Sequence, residues 1–181
     1  MLMDRGASFQ YSEKERYINI AAEFGHVPML RFLMDQGLNL HVRDLMYKAA
    51  GGGHVPMLQF LLEQGCAVEK PCRSSLDFRP LEHAVECGHM EAFKFLLANG
   101  ADLRYRSHYG MTVWLDVASH GKLEMMKFLL DNNMASPSDR DGDQNTALLL
   151  AAGVCADACG CCDRGFDNGV FRRVILMWSS F

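Results

Sequence analysis

A six-residue phrase that returns along the chain limits the possible folds more than any other feature. Gly25-His26-Val27-Pro28-Met29-Leu30 recurs as Gly53-His54-Val55-Pro56-Met57-Leu58. Altered copies follow as Gly88-His89-Met90-Glu91-Ala92-Phe93 and Gly121-Lys122-Leu123-Glu124-Met125-Met126, so the leading glycines are 28, 35 and 33 residues apart. Self-similarity at such a period marks an array of like units. Each phrase runs into an apolar block: Phe32-Leu33-Met34, Phe60-Leu61-Leu62, Phe95-Leu96-Leu97 and Phe128-Leu129-Leu130. A turn follows each block, at Gln36-Gly37, Gln64-Gly65, Asn99-Gly100 and Asn132-Asn133. Upstream stand small apolar pairs, Ala21-Ala22, Ala49-Ala50, Ala84-Val85 and Val117-Ala118, with a fifth at Ala151-Ala152.

The spacing inside a unit is helical. From Leu30 through Leu33 and Met34, and from Leu58 through Leu61 and Leu62, apolar residues fall three and four apart, which is one helix face. The small pairs let two helices approach closely. Glycine ends each helix because it enters the left-handed backbone region cheaply. Each unit therefore reads as helix, turn, helix, turn and loop. One unit cannot bury its apolar face alone, whereas a stack can, and the result is a solenoid held by nearest-neighbour contacts.

These residues resemble the ankyrin repeat. The segment Arg79-Pro80-Leu81-Glu82-His83-Ala84-Val85-Glu86-Cys87-Gly88-His89, closing on Leu96-Leu97-Ala98-Asn99-Gly100-Ala101-Asp102, carries the likeness best. Gly110-Met111-Thr112-Val113-Trp114-Leu115 opens the next unit, and Asp141, Thr146, Ala147, Leu148, Ala151 and Ala152 a last one. The family's Thr-Pro-Leu-His opening is never complete. Its threonine is replaced by Arg16, Asp44 and Arg79, and its histidine by Asn19, Tyr47, Glu82, Leu115 and Leu149. The expected fold is all-α, an α-solenoid of stacked ankyrin-like helix-turn-helix repeats with weak or absent β-hairpins; Asn39 to Arg43 leaves little room for one. The expected array occupies residues 1–152, with a partial unit at 1–10, units near 14–40, 43–70, 77–105 and 110–136, and an incomplete unit at 141–152. Both ends look broken, as in a piece of a longer array. Residues 153–181 form a divergent Cys/Gly-rich tail, in which Phe171, Val174, Ile175 and Trp178 predict a terminal helix over 170–178.

Composition narrows the function. With 49% hydrophobic and 22% charged residues the 181-residue chain is globular in class. Its net charge of −4 and lack of a dense Lys/Arg run argue against nucleic acid. No apolar run reaches the roughly 18 residues of a membrane span, and the N-terminus does not read as a secretory signal. The seven cysteines therefore read as reduced thiols in a cytoplasmic protein. The knot Cys155-x3-Cys159-x-Cys161-Cys162 lacks the second pair of a zinc site, Gly51-Gly52-Gly53 lacks the Lys-Ser/Thr of a phosphate loop, and His26, His54 and His89 fall one unit apart rather than together. His83 and Cys87 share a helix face but make only two ligands. Trp114 and the methionines at 29, 57, 125 and 126 read as core. No catalytic constellation, metal site or cofactor is expected, and no small-molecule substrate.

The resemblance implies a non-enzymatic protein-protein interaction module whose concave face binds another protein. By that resemblance the variable partner-binding positions are Leu76, Phe78, Glu86 and Cys87 in the third unit and His108, Tyr109, Met111, Ser119 and His120 in the fourth. For Phe78 and Tyr109, packing between adjacent loops stands as the alternative. The competing class is a regulatory fragment of a larger multidomain enzyme or receptor. If the tail helix covers the unfinished last unit, deleting 170–181 is expected to lower the thermal midpoint, and an unchanged midpoint would count against that helix.

Overall fold

A computed structural model describes residues 11–37, 44–69, 78–107, 109–135 and 137–151, with the side chains of 11–15 excepted. Eight helices follow one another: α1 (Tyr11–Glu23), α2 (Val27–Asp35), α3 (Leu45–Gly51), α4 (Val55–Glu63), α5 (Pro80–Cys87), α6 (Met90–Ala98), α7 (Val113–Ser119) and α8 (Leu123–Asp131). A ninth helical stretch covers 147–151. They pack as consecutive pairs. First helices touch first helices (α1 on α3, α3 on α5, α5 on α7), and α2, α4 and α6 line up behind them. The fold is an all-α repeat stack. Among the described residues there is no strand, only an isolated antiparallel bridge between Arg140 and Thr146. The segment 39–43, the partial unit 1–10 and the tail lie outside the described residues.

The pair turn is the same in all four units. Main-chain N–H groups of Gly53 and His54 donate to the carbonyls of Ala50 and Ala49, each at 3.1 Å. Gly88 and His89 repeat this onto Val85 and Ala84, and Gly121 and Lys122 onto Ala118 and Val117. These are the two bonds of a Schellman cap, which satisfies the last carbonyls of the first helix and redirects the chain. The cap needs a left-handed residue, and Gly53 supplies φ 71°. The following helix starts on Val27-Pro28 or Val55-Pro56, where proline gives up only an N–H that has no helical partner. The second turn uses the same cap, with Asn133 at φ 53° standing where its counterparts are glycine.

Missing side chains at these turns also make the seam between units. The His54 ring lies over Gly25, the His89 ring over Gly53, and the Lys122 ammonium over Gly88. A Cβ on Gly53 would stand 2.5 Å from Nδ1 of His89, inside any allowed contact. His83 packs likewise over Gly51, stacks on Tyr47 at 3.9 Å between ring centroids, and sets Nδ1 3.0 Å from the Tyr47 carbonyl oxygen. His54 and His89 are therefore inter-unit packing groups.

One continuous core runs through the stack. Ile18, Met46, Leu81 and Trp114 occupy one position of the first helix, and the small pairs beside them are sealed. Trp114 is core, as its leucine-like position implied. Met57, Met125 and Met126 are also core, but Met29 is not. Met29 is 41% exposed against 0% for its counterpart Met57, and Phe32 is 43% exposed against 4% for Phe60. The helix face is the same; the difference is that α4 has α2 against it, whereas among the described residues no second helix of an earlier unit lies against α2. The expectation for Met29 followed helical spacing alone, and spacing does not say whether a neighbour is there.

Gly53→Ala is expected to cost about 1–2 kcal/mol for the left-handed backbone and a further 1–3 kcal/mol for the clash with His89. Gly65→Ala, at φ 83° with nothing within 4 Å of the added carbon, is expected to cost the backbone term alone. Urea unfolding of both variants checks the difference, and equal losses would show that His89 does not rest on Gly53.

Candidate functional site

Residues on the approaches to α5 and α7, together with three first helices, line a cleft of about 400 Å³. Phe78 reaches it from the approach to α5, and Ser107, Tyr109 and Met111 from the approach to α7. The wall contributed by the helices is Tyr47 on α3, Glu82 and Glu86 on α5, and Asp116 and Ser119 on α7, with His120 just beyond.

The fourth-unit loop owes its shape to main-chain bonds. The Ser107 N–H donates to the Met111 carbonyl at 2.9 Å, and the Gly110 N–H to the Ser107 carbonyl at 2.8 Å. The Gly142 N–H then donates to the Tyr109 carbonyl at 2.9 Å, tying this loop to the next one. Arg106 adds side-chain bonds to the carbonyls of Gly110 (3.0 Å) and Arg140 (2.9 Å) and an ion pair to Asp139 (3.2 Å). In the last loop, burial pushes the Asp141 carboxyl upward, but bonds from Asn145 and the Asp143 N–H outweigh it and leave the group low. Tyr109 is 57% exposed on its tied loop. A second lock joins the third unit to its neighbours: Arg79 pairs with Glu69 and lies 3.4 Å from the Tyr105 ring centroid. Glu69 also accepts from the Asp102 N–H at 2.9 Å.

The floor of the cleft is acidic. Glu82 is buried; desolvation pushes its pKa up, the N–H of Arg79 at 2.8 Å opposes this, and the charge of Asp116 adds to the rise. His120 turns Nδ1 toward the Asp116 carboxylate (3.3 Å) and the Asp116 carbonyl (3.0 Å). The bond to Asp116 raises the imidazole pKa, against a desolvation that lowers it. The other carboxylate oxygen of Asp116, Oδ2, is buried without a hydrogen-bond partner.

Of the nine positions named from the sequence, Phe78, Glu86, Tyr109, Met111, Ser119 and His120 come together around this one cleft. Cys87 is exposed on the same helix and does not line it. Burial first, and Glu86 second, push the Cys87 thiol up against the opposing charge of Lys122, so the protonated form prevails at neutral pH. Leu76 and His108 lie outside the described residues. Tyr47, Glu82, Ser107 and Asp116 complete the lining and were not named. For Tyr47 and Glu82 there was a signal, since both replace the repeat's usual histidine. Asp116 gave none, because its counterparts Ile20, Lys48 and His83 share no residue type. Among the described residues no group of three or more His, Cys, Asp or Glu could hold a metal ion. None of the described helices is long and apolar enough to cross a membrane.

Comparison with known proteins agrees with the repeat geometry. A family model for ankyrin repeats, three copies, matches residues 18–107 and again 81–159. Ankyrin repeat and KH domain-containing protein mask-1 of Caenorhabditis elegans is 32% identical over 126 residues, which cover 67% of this chain and 5% of that protein.

The His120 pair makes stability pH-dependent. A raised imidazole pKa contributes stability in full below about pH 6.5 and loses it as pH climbs through the folded-state value. The ring is 37% exposed, so screening holds the contribution to about 1 kcal/mol or less. His120→Ala is expected to flatten the fall in thermal midpoint between pH 6 and pH 8, and parallel curves for variant and parent would refute the pairing.

Proposed function

Because this chain belongs to the ankyrin repeat family, whose members generally serve as protein-interaction modules without catalytic activity, we propose that it is a non-enzymatic binding module. Its partner is another protein, held by the concave face of the stack. The observation that carries this reading is the convergence of variable residues from two loops and two helices on one cleft, with the aromatic rings of Phe78 and Tyr109 at its edge. Buried or edge-on aromatics of this kind are the usual anchors of an interface. The loop is preorganised by Arg106 and Gly142, which reduces the ordering cost of association.

A second reading, a regulatory segment of a larger multidomain enzyme or receptor, draws support from scale. The chain spans about a twentieth of the length of the curated relative it matches, 5%. Reading the coding sequence upstream and downstream separates the two.

A chain carrying Tyr109→Ala with Met111→Ala is expected to lose partner capture by about tenfold or more while its far-UV circular dichroism stays unchanged. Quantitative mass spectrometry of affinity-purified material reads the outcome. Full capture by the double variant would remove this face from the binding site.

A further inference from the structure

We infer that the cleft between the third and fourth units receives one cationic side chain, lysine or arginine, from the partner polypeptide. The inference rests on the protein-binding reading above and adds the chemistry of what is bound.

Charge is the first observation. Among the described residues three carboxylates line the cleft, Glu82, Glu86 and Asp116, and no lysine or arginine does. His120, also in the lining, faces the Oδ1 side of Asp116. An anionic guest would meet repulsion from all three acids.

The second observation is independent of the count. Asp116 is only 8% exposed, and its Oδ2 has no hydrogen-bond partner. A carboxylate oxygen taken from water and left unpaired is costly, and the cost is recovered when a donor arrives. Close by, Glu82 is buried and feels the charge of Asp116. A cation beside both satisfies the free oxygen and relieves their repulsion together. An apolar guest would leave the oxygen unpaired.

Shape and lining complete the case. A volume of about 400 Å³ sits low in the range of about 300–1,000 Å³ for ligand pockets, which suits one long side chain. Tyr47, Phe78 and Tyr109 supply ring surface for a cation, and Met111 an apolar contact for its methylene stem. The same fold already uses this combination within the chain, where the Arg79 guanidinium lies on Tyr105 and pairs with Glu69.

The test uses the full chain, isotope-labelled, titrated with Nα-acetyl-arginine methylamide and Nα-acetyl-lysine methylamide. The neutral isostere Nα-acetyl-citrulline methylamide serves as control. A saturable shift of the amides of Glu82, Glu86, Tyr109 and Asp116 with a cationic probe, absent with citrulline, is the expected result. Asp116→Asn is expected to weaken it about fivefold or more, and the exposed Glu86→Gln about twofold, the latter guarding against a folding defect in the former. Equal binding of citrulline, scattered shifts, or indifference to both substitutions overturns the inference. If the Tyr109/Met111 double variant loses its partner while no cationic probe saturates, the inference falls and the protein-binding reading stands. If a cationic probe saturates and Asp116→Asn abolishes it, while the double variant keeps its partner, the cleft binds cations other than the partner's, and the inference falls together with the reading of that face.

Discussion

The stack depends on a side chain of one unit resting on the bare backbone of the unit before it. A glycine there does two jobs at once. It turns the chain out of the first helix, and it leaves a hollow that the next His54, His89 or Lys122 fills. Helix propensity alone would not hold segments of seven to nine residues, such as α3 and α4, since isolated helices that short are marginal in water. Packing between units does, and it sets Phe78, just before α5, and Tyr109, before α7, on one cleft.

The acidic floor is a second product of the same stacking. Glu82 and Asp116 come from different units and are brought near one another only because α5 packs on α7. Neither is a strange residue within its own helix. Together they form an undercompensated pair, kept in place by Leu81, Leu115 and Val117, which are sealed on the other faces of the same helices. Such local conflict, inside a fold that is otherwise consistent, is where function is expected to sit.

Much of this was legible in the amino-acid sequence, for physical reasons. Period and helical spacing are local properties, so the helix pairs, the glycine turns, the small-residue seam and the core role of Trp114 could be read directly. Six cleft residues, among them Tyr109 and His120, could be placed because a repeat converts one position into a known face. What could not be read were relations between units. The docking of His89 on Gly53 depends on the rotation from one pair to the next, and the meeting of Glu82 with Asp116 depends on it too. Burial was misjudged for the same reason at Met29, where spacing was right but no second helix among the described residues lies before α2.

That last contrast has a consequence for how substitutions will be tolerated. Met29 and Met57 lie in identical phrases, and Phe32 and Phe60 at the same position of similar blocks, yet one of each pair faces solvent and the other is sealed. Mutational tolerance along this chain is therefore set by rank in the stack rather than by the letter in the motif. An alignment of its own units, averaged position by position, would assign one constraint where the molecule has several. Variation is permitted more freely in α2 than in α4, although the two helices begin with the same four residues.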